Sequence, residues 1–305
     1  MRIVFMGTPD FAVPSLDILV KNGFEVVGVV TATDKYGGRG GKQLIESAVK
    51  KYAVANGLTV LQPKNLKSPT FQADLKALNA DLQVVVAFRM LPVAVWDMPS
   101  IGTINLHGSL LPKYRGAAPL NWAVINGETE TGATTFFLKH EIDTGDLLFT
   151  TKIPIGAEAT VGEVHDALML KGAELMLKTV RAIEKGDYTP RPQDESQVSK
   201  APKIFHETCE IDFGQTTQKV HDFIRGLSPY PTAWTVLDGK KLKVFRAKRL
   251  FESHDLLTGK FVTDGKKYLR VTTKDGFIEL LQIQLQGRKR MDAKSFLNGY
   301  TIENI

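Results

Sequence analysis

Two side chains in the run Thr103-Ile104-Asn105-Leu106-His107-Gly108-Ser109-Leu110-Leu111-Pro112 have the types and spacing to do chemistry. Asn105 and His107 stand two residues apart in an apolar segment that reads as a buried strand. Side chains alternate along a strand, so both point to one face. An amide able to donate a hydrogen bond then sits beside an imidazole able to move a proton, just ahead of a tight Gly-Ser turn. Asp143, in Ile142-Asp143-Thr144-Gly145-Asp146, lies 36 residues beyond His107 in a turn that can return a carboxylate to the imidazole. Such a set suits acyl transfer without a covalent intermediate: the amide stabilises an oxyanion, the imidazole shuttles protons, and the carboxylate orients and charges it.

Elements must hold these groups, and the first half alternates strand and helix. Ile3–Met6 reads as a buried strand, Phe11–Asn22 as a helix with Pro14 in its first turn, and Glu25–Thr31 as the next strand. Further strands are expected at Val60-Leu61, Leu82–Ala87 and Thr103–Leu106, with helical stretches around Leu44–Ala55 and Phe71–Leu78. Alternation of this kind predicts a Rossmann-like, mostly parallel sheet with helices on both faces, whose ligands bind beyond the carboxyl ends of the strands. Gly7-Thr8-Pro9 lacks the later glycines of a dinucleotide loop, which argues against a nicotinamide cofactor. Thr160-Val161-Gly162-Glu163 is a capping box that opens a long helix closing at Gly186. The Pro-rich polar stretch from Thr189 to Ser196 reads as a linker. The expected division is 1–188, a linker at 189–204, and 205–305. In the last part a short helix near Thr217–Arg225 precedes strands at Ala233–Leu237, Lys241–Phe245, Gly259–Val262, Tyr268–Thr272 and Phe277–Ile283, separated by Asp-Gly turns. The pattern predicts a small OB-like β-barrel.

The charge is unevenly placed. Residues 1–200 hold 21 Lys+Arg against 21 Asp+Glu, and residues 201–305 hold 18 against 12, so the whole excess of +6 falls in the last third. A neutral half joined to a basic half fits a substrate attached to a polyanion. Lys241 and Lys243 share a strand face with Phe245, and Arg246 and Lys248 follow, as a phosphate-tracking stripe would require. The single Cys209 excludes an internal disulfide and reads as a small core hydrophobe. Six histidines without metal-ligand spacing lead us to expect no metal. No apolar run approaches a membrane span and the N-terminus opens on a strand, so a cytoplasmic chain is expected, and a monomer.

Asn-x-His-x-Ser-Leu-Leu-Pro, its continuation Lys113-Tyr114-Arg115-Gly116-Ala117-Ala118-Pro119, and Asp-Thr-Gly-Asp at this spacing resemble the folate-dependent formyltransferases. The resemblance assigns catalysis to Asn105, His107 and Asp143. It implies 10-formyltetrahydrofolate as formyl donor, bound along Ser109, Leu110, Leu111 and Pro112. The apolar walls expected of such a pocket can come from Phe88, Met90 and Leu91. Relatives commonly carry Tyr-Gly where Phe88-Arg89 stand and Met-Asp where Lys139-His140 stand, so His140 reads as a loop histidine. Gly38-Arg39-Gly40 matches the core of a loop inserted in the enzymes that formylate methionyl-initiator tRNA. Arg39 and Lys42 are therefore expected to meet the acceptor end. Ile211-Asp212-Phe213 and residues 224–234 resemble the start of the same enzymes' C-terminal domain. The remaining alternatives are formyl transfer to a nucleotide-linked amino sugar and a non-catalytic tRNA-binding protein.

Overall fold

The computed structural model describes residues 1–38 and 40–303. The chain forms two compact units. One comprises residues 1–115, 132–153 and 166–200; the other comprises 116–131, 154–165 and 201–305.

The first unit is built on a seven-stranded sheet. Its order is Leu147–Pro154, Glu130–Phe137, Gly102–His107, Leu82–Val86, Arg2–Gly7, Glu25–Val30 and Val60–Leu61. The last five are mutually parallel, and Glu130–Phe137 runs antiparallel to Gly102–His107. Ile3, Val4, Phe5 and Met6 are wholly buried, as a central parallel strand covered on both faces requires. Pro14 sits in the first turn of helix Val13–Lys21, and Ser47 caps helix Ala48–Ala55 through a 3.0 Å bond from the Lys50 amide. The predicted capping box is formed: the Thr160 amide donates to Glu163 Oε2 at 2.8 Å and the Glu163 amide to Thr160 Oγ1 at 3.3 Å. The helix it opens spans Val161–Lys185 and ends before Gly186, whose φ of 69° is the left-handed conformation of a helix terminus.

Leu44, expected in a helix, lies instead in strand Gln43–Ile45, which pairs with Lys35–Gly37. Strands Glu130–Phe137 and Leu147–Pro154 and helix Pro119–Ile125 carried no strong apolar pattern. In the first of these, Thr131, Thr134 and Thr135 are buried. The Thr134 and Thr135 hydroxyls are satisfied at long range, by Ser109 O at 2.7 Å and Thr179 Oγ1 at 2.8 Å.

The second unit holds a curled antiparallel half-barrel. Its strand order is Ala233–Leu237, Lys240–Leu250, Phe277–Leu285, Leu269–Thr272 and Phe261–Thr263, with Met291–Asp292 added to Phe277–Leu285. Helix Thr217–Gly226 packs its apolar side into the same core as Leu242, Val244, Ile278 and Ile283. Cys209 lies fully buried there, and burial pushes its thiol pKa up, away from thiolate chemistry. The parallel-dominated first sheet and the curled second sheet are the architecture expected from the sequence. Among the described residues no helix is long and apolar enough to cross a membrane.

Candidate active site

Strand Gly102–His107 presents Asn105 and His107 on one face, in register with Phe136 and Thr134 of the antiparallel neighbour. The imidazole is only 6% exposed. Its Nε2 lies 2.8 Å from the carbonyl oxygen of Tyr114. A carbonyl can only accept, so Nε2 carries a proton in the neutral ring and the lone pair resides on Nδ1. Nδ1 faces Asp143 Oδ2 at 3.8 Å, an ion-pair distance once the ring is charged and too long for a direct hydrogen bond. The Tyr114 carbonyl therefore fixes the tautomer, and Asp143 attends the nitrogen that exchanges protons. Asn105 is half-buried, and among the described residues its amide makes no hydrogen bond. It remains available to an incoming oxygen.

The loop after His107 is held from within. Ser109 Oγ donates to the Lys113 carbonyl at 2.6 Å. Thr134 Oγ1 donates to the Ser109 carbonyl at 2.7 Å and accepts from the Leu111 amide at 3.2 Å. Tyr114 adopts a left-handed φ of 60°, which aims its carbonyl at the imidazole, and its amide donates to Ser199 Oγ at 2.9 Å. A non-glycine residue in that conformation costs about 1–2 kcal/mol, offset by such bonds. Of the residues expected along the folate site, Leu110 and Pro112 are half-buried and accessible. Ser109 and Leu111 lie beneath the loop surface, where they shape it.

Asp143 reaches His107 because the chain folds back. The Leu138 amide donates to Thr103 O at 2.8 Å, and the Phe137 amide then donates to Asp146 O at 3.1 Å. Asp143 has a φ of 56°. Gln193 clamps this turn, with Nε2 donating to the carbonyls of Asp143 and Gly145, both at 2.8 Å. Gln193 Oε1 in turn accepts from Arg115 Nε at 3.0 Å and Nη2 at 2.7 Å. Arg115 also bonds Glu195, which lowers that carboxyl's pKa. Gly145 has no tolerated substitute, since a Cβ there would lie 1.6 Å from the Phe137 oxygen. His140 stays exposed in the loop. Sequence reasoning missed Tyr114, Arg115, Thr134, Gln193 and Ser199. Gln193 falls within the stretch read as a linker, which here packs with the first unit.

Pairing of Val86 with Leu106 brings the loop after strand Leu82–Val86 out beside the loop after His107. Phe88 and Leu91 pack partly onto the core, whereas Met90 is 72% exposed. Arg89 donates to the carbonyls of Pro63 and, at 3.0 Å, Lys64, and its guanidinium lies 5.6 Å from the Phe88 ring centre. This accounts physically for the Phe88-Arg89 departure: the arginine ties two neighbouring loops together.

The chain matches the formyl transferase family model over residues 1–180 and the formyl transferase C-terminal domain over residues 203–301. It belongs to the formyl transferase family. The methionyl-tRNA formyltransferase of Parabacteroides distasonis is 54% identical over 98% of this chain and 96% of its own length. That of Flavobacterium johnsoniae is 50% identical over 100% and 98%. Among solved structures, an N-formyltransferase from Helicobacter canadensis, in complex with folinic acid and dTDP-3-aminofucose, shares the fold. Its TM-score is 0.71 at 21% identity, covering 93% of this chain and 100% of that one.

The basic residues of this formyl transferase are distributed between the two units. Arg39 lies outside the described residues, and Lys42 is exposed beside strand Gln43–Ile45. In strand Lys240–Leu250 the register shifts at Val244–Ala247. The shift corrects the simple alternation: Phe245 is buried, while Arg246 and Lys248 are exposed and Lys241 and Lys243 half-exposed. Lys241 Nζ sits 3.9 Å from the Trp234 ring centre, and Arg246 pairs with Glu163 at 2.6 Å.

Proposed function

We propose that this chain transfers a formyl group from 10-formyltetrahydrofolate to the α-amino group of methionine on initiator tRNA. The observation that carries the reading is identity near one half, along nearly the whole chain, to relatives named for that activity. The unspent Asn105 amide beside the His107–Asp143 pair supports it chemically.

The residues present fit a folate donor. A half-buried apolar loop at Leu110 and Pro112 and the exposed Met90 stand at adjoining strand ends, apolar surface that suits the faces of a pterin ring. When bound, the folate supplies the formyl carbon and the nitrogen that leaves. As the methionyl amine forms its new bond to that carbon, the Asn105 amide donates to the formyl oxygen while negative charge develops on it. Loss of one such donor costs roughly 3–4 kcal/mol of barrier. His107 Nδ1 takes the proton released by the amine, with Asp143 balancing the imidazolium. It returns that proton to the leaving nitrogen as the old carbon–nitrogen bond breaks. Nε2 stays bonded to Tyr114 throughout, so one nitrogen does both transfers. Arg39, Lys42, Lys241, Lys243, Arg246 and Lys248 would engage the tRNA.

An amino-sugar nucleotide would need the same three side chains but neither the basic second unit nor the Arg39 loop. The two substrates separate in one assay. Charged initiator tRNA should be formylated and a dTDP-amino sugar left unchanged, and the opposite pattern would overturn the proposal.

A further inference from the structure

The neutral imidazole of His107 has one ring proton and two acceptors that compete for it. The Tyr114 carbonyl faces Nε2 at 2.8 Å, and Asp143 Oδ2 faces Nδ1 at 3.8 Å. A carboxylate is the stronger acceptor, so Asp143 on its own would draw the proton to Nδ1. A ring protonated there has no lone pair with which to take a proton from the amine. Distance decides the competition, and with it whatever keeps the Tyr114 carbonyl within reach.

Ser199 keeps it there. Its Oγ accepts from the Tyr114 amide at 2.9 Å, and its carbonyl oxygen accepts from the Arg115 amide, also at 2.9 Å. The Tyr114 carbonyl and the Arg115 N–H belong to one peptide group and point in opposite directions across it. That group is therefore pinned between Ser199 on one side and the imidazole on the other. Tyr114 needs such a grip, because its φ of 60° is costly for a residue with a side chain. Tyr114 and His107 are each only 6% exposed, so an amide deprived of its acceptor finds little water in exchange. The same stretch of chain reaches the other ring nitrogen. Gln193 holds the turn of Asp143, and the Arg115 guanidinium bonds both Gln193 Oε1 and Glu195. Residues 193–199 thus set what faces each nitrogen of His107.

We propose that Ser199 is a positioning residue that selects the tautomer of His107: by gripping the Tyr114–Arg115 peptide it keeps the carbonyl on Nε2 and leaves the Nδ1 lone pair for the proton of the attacking amine. This rests on the formyl-transfer reading above. No chemistry passes through Ser199 itself. The proton still moves from the amine to Nδ1 and from Nδ1 to the leaving nitrogen. As the ring becomes charged its bond to the carbonyl strengthens, so the same grip also favours the imidazolium.

The test uses the full chain, isotope-labelled at its histidine ring nitrogens, with the His107 signals identified by their loss in His107→Ala. Magnetic resonance spectra at about pH 8, where imidazoles are mostly neutral, should place the wild-type proton on Nε2. Ser199→Ala should raise the Nδ1-protonated fraction about fivefold, the effect of one net hydrogen bond. It should lower kcat about tenfold, because the bond to the charged ring is the stronger one, and leave KM for charged tRNA and folate affinity near wild type. Ser199→Thr, which keeps the hydroxyl, should retain the wild-type spectrum and most of the rate. If Ser199→Ala does not fold, Ser199→Cys, similar in volume but a weak acceptor, reads the same two quantities. A wild-type spectrum in the folded Ala or Cys variant would overturn the proposal whatever its rate. So would an altered spectrum with wild-type kcat, or a loss shared by Ser199→Thr. If the wild-type chain failed to formylate charged tRNA, the functional reading would fall, and the ring spectra alone would decide whether Ser199 sets the tautomer.

Discussion

Replacing Gln193 should slow the chemical step without touching a reacting group. Its Nε2 donates two 2.8 Å bonds that hold the carbonyls of Asp143 and Gly145. Asp143 sits at a φ of 56°, a conformation that needs such support. Each bond contributes about 1 kcal/mol net. Losing both leaves the turn about 2 kcal/mol less able to keep the carboxylate opposite His107 Nδ1, a factor of about thirty in rate. The loss should fall on kcat, since Asp143, 3.8 Å from His107 Nδ1, acts on the imidazolium formed during the chemical step. Gln193→Glu separates the donor from mere packing. A carboxylate keeps the acceptor for Arg115 but cannot donate to two carbonyls, so it should be as damaging as Gln193→Ala. Single-turnover formylation with saturating donor and charged tRNA reads this directly. A Gln193→Glu variant turning over at the wild-type rate would refute the reasoning.

Three further outcomes follow from the geometry. His107→Ala and Asn105→Ala should each reduce kcat, by about a hundred- to ten-thousand-fold for the proton shuttle, with tRNA affinity nearly unchanged in a binding titration. The Thr160 amide's bond to Glu163 is the main cause of that carboxyl's lowered pKa. Its stabilising contribution should be complete above the ordinary glutamate pKa and lost as pH falls through the lower folded value. The stability deficit of Glu163→Ala, at most about 1 kcal/mol for a solvent-screened cap, should therefore be full at neutral pH and shrink in thermal melts as pH falls below the ordinary glutamate range. Finally, Lys243→Ala with Lys248→Ala should reduce the log–log salt slope of tRNA binding by about 2, one per phosphate contact removed.

Much of this arrangement was legible because it follows from periodicity. The two-residue spacing of Asn105 and His107 places them on one face whatever the surroundings, and Thr160-x-x-Glu163 caps a helix through local bonds alone. What stayed illegible depends on partners far along the chain. The fold of residues 130–137 rests on threonines whose hydroxyls find partners at Ser109 and Thr179, so their polarity disguised a buried strand. The Tyr114 carbonyl that fixes the His107 tautomer is a backbone atom, which no residue type announces. Gln193 sits in a stretch whose prolines and polar residues have a linker's composition. Its partner Asp143 is 50 residues away, and composition says nothing of where a side chain docks. The register shift in Lys240–Leu250 likewise moved Phe245 inward and Arg246 outward against strict alternation.

The most direct measurement is formation of N-formylmethionyl-tRNA from charged initiator tRNA and 10-formyltetrahydrofolate, followed in parallel for the wild-type chain and His107→Ala. The account predicts donor-dependent product with wild type and a loss of at least about a hundredfold with the variant. Absence of product with wild type, or equal turnover by both proteins, would contradict it.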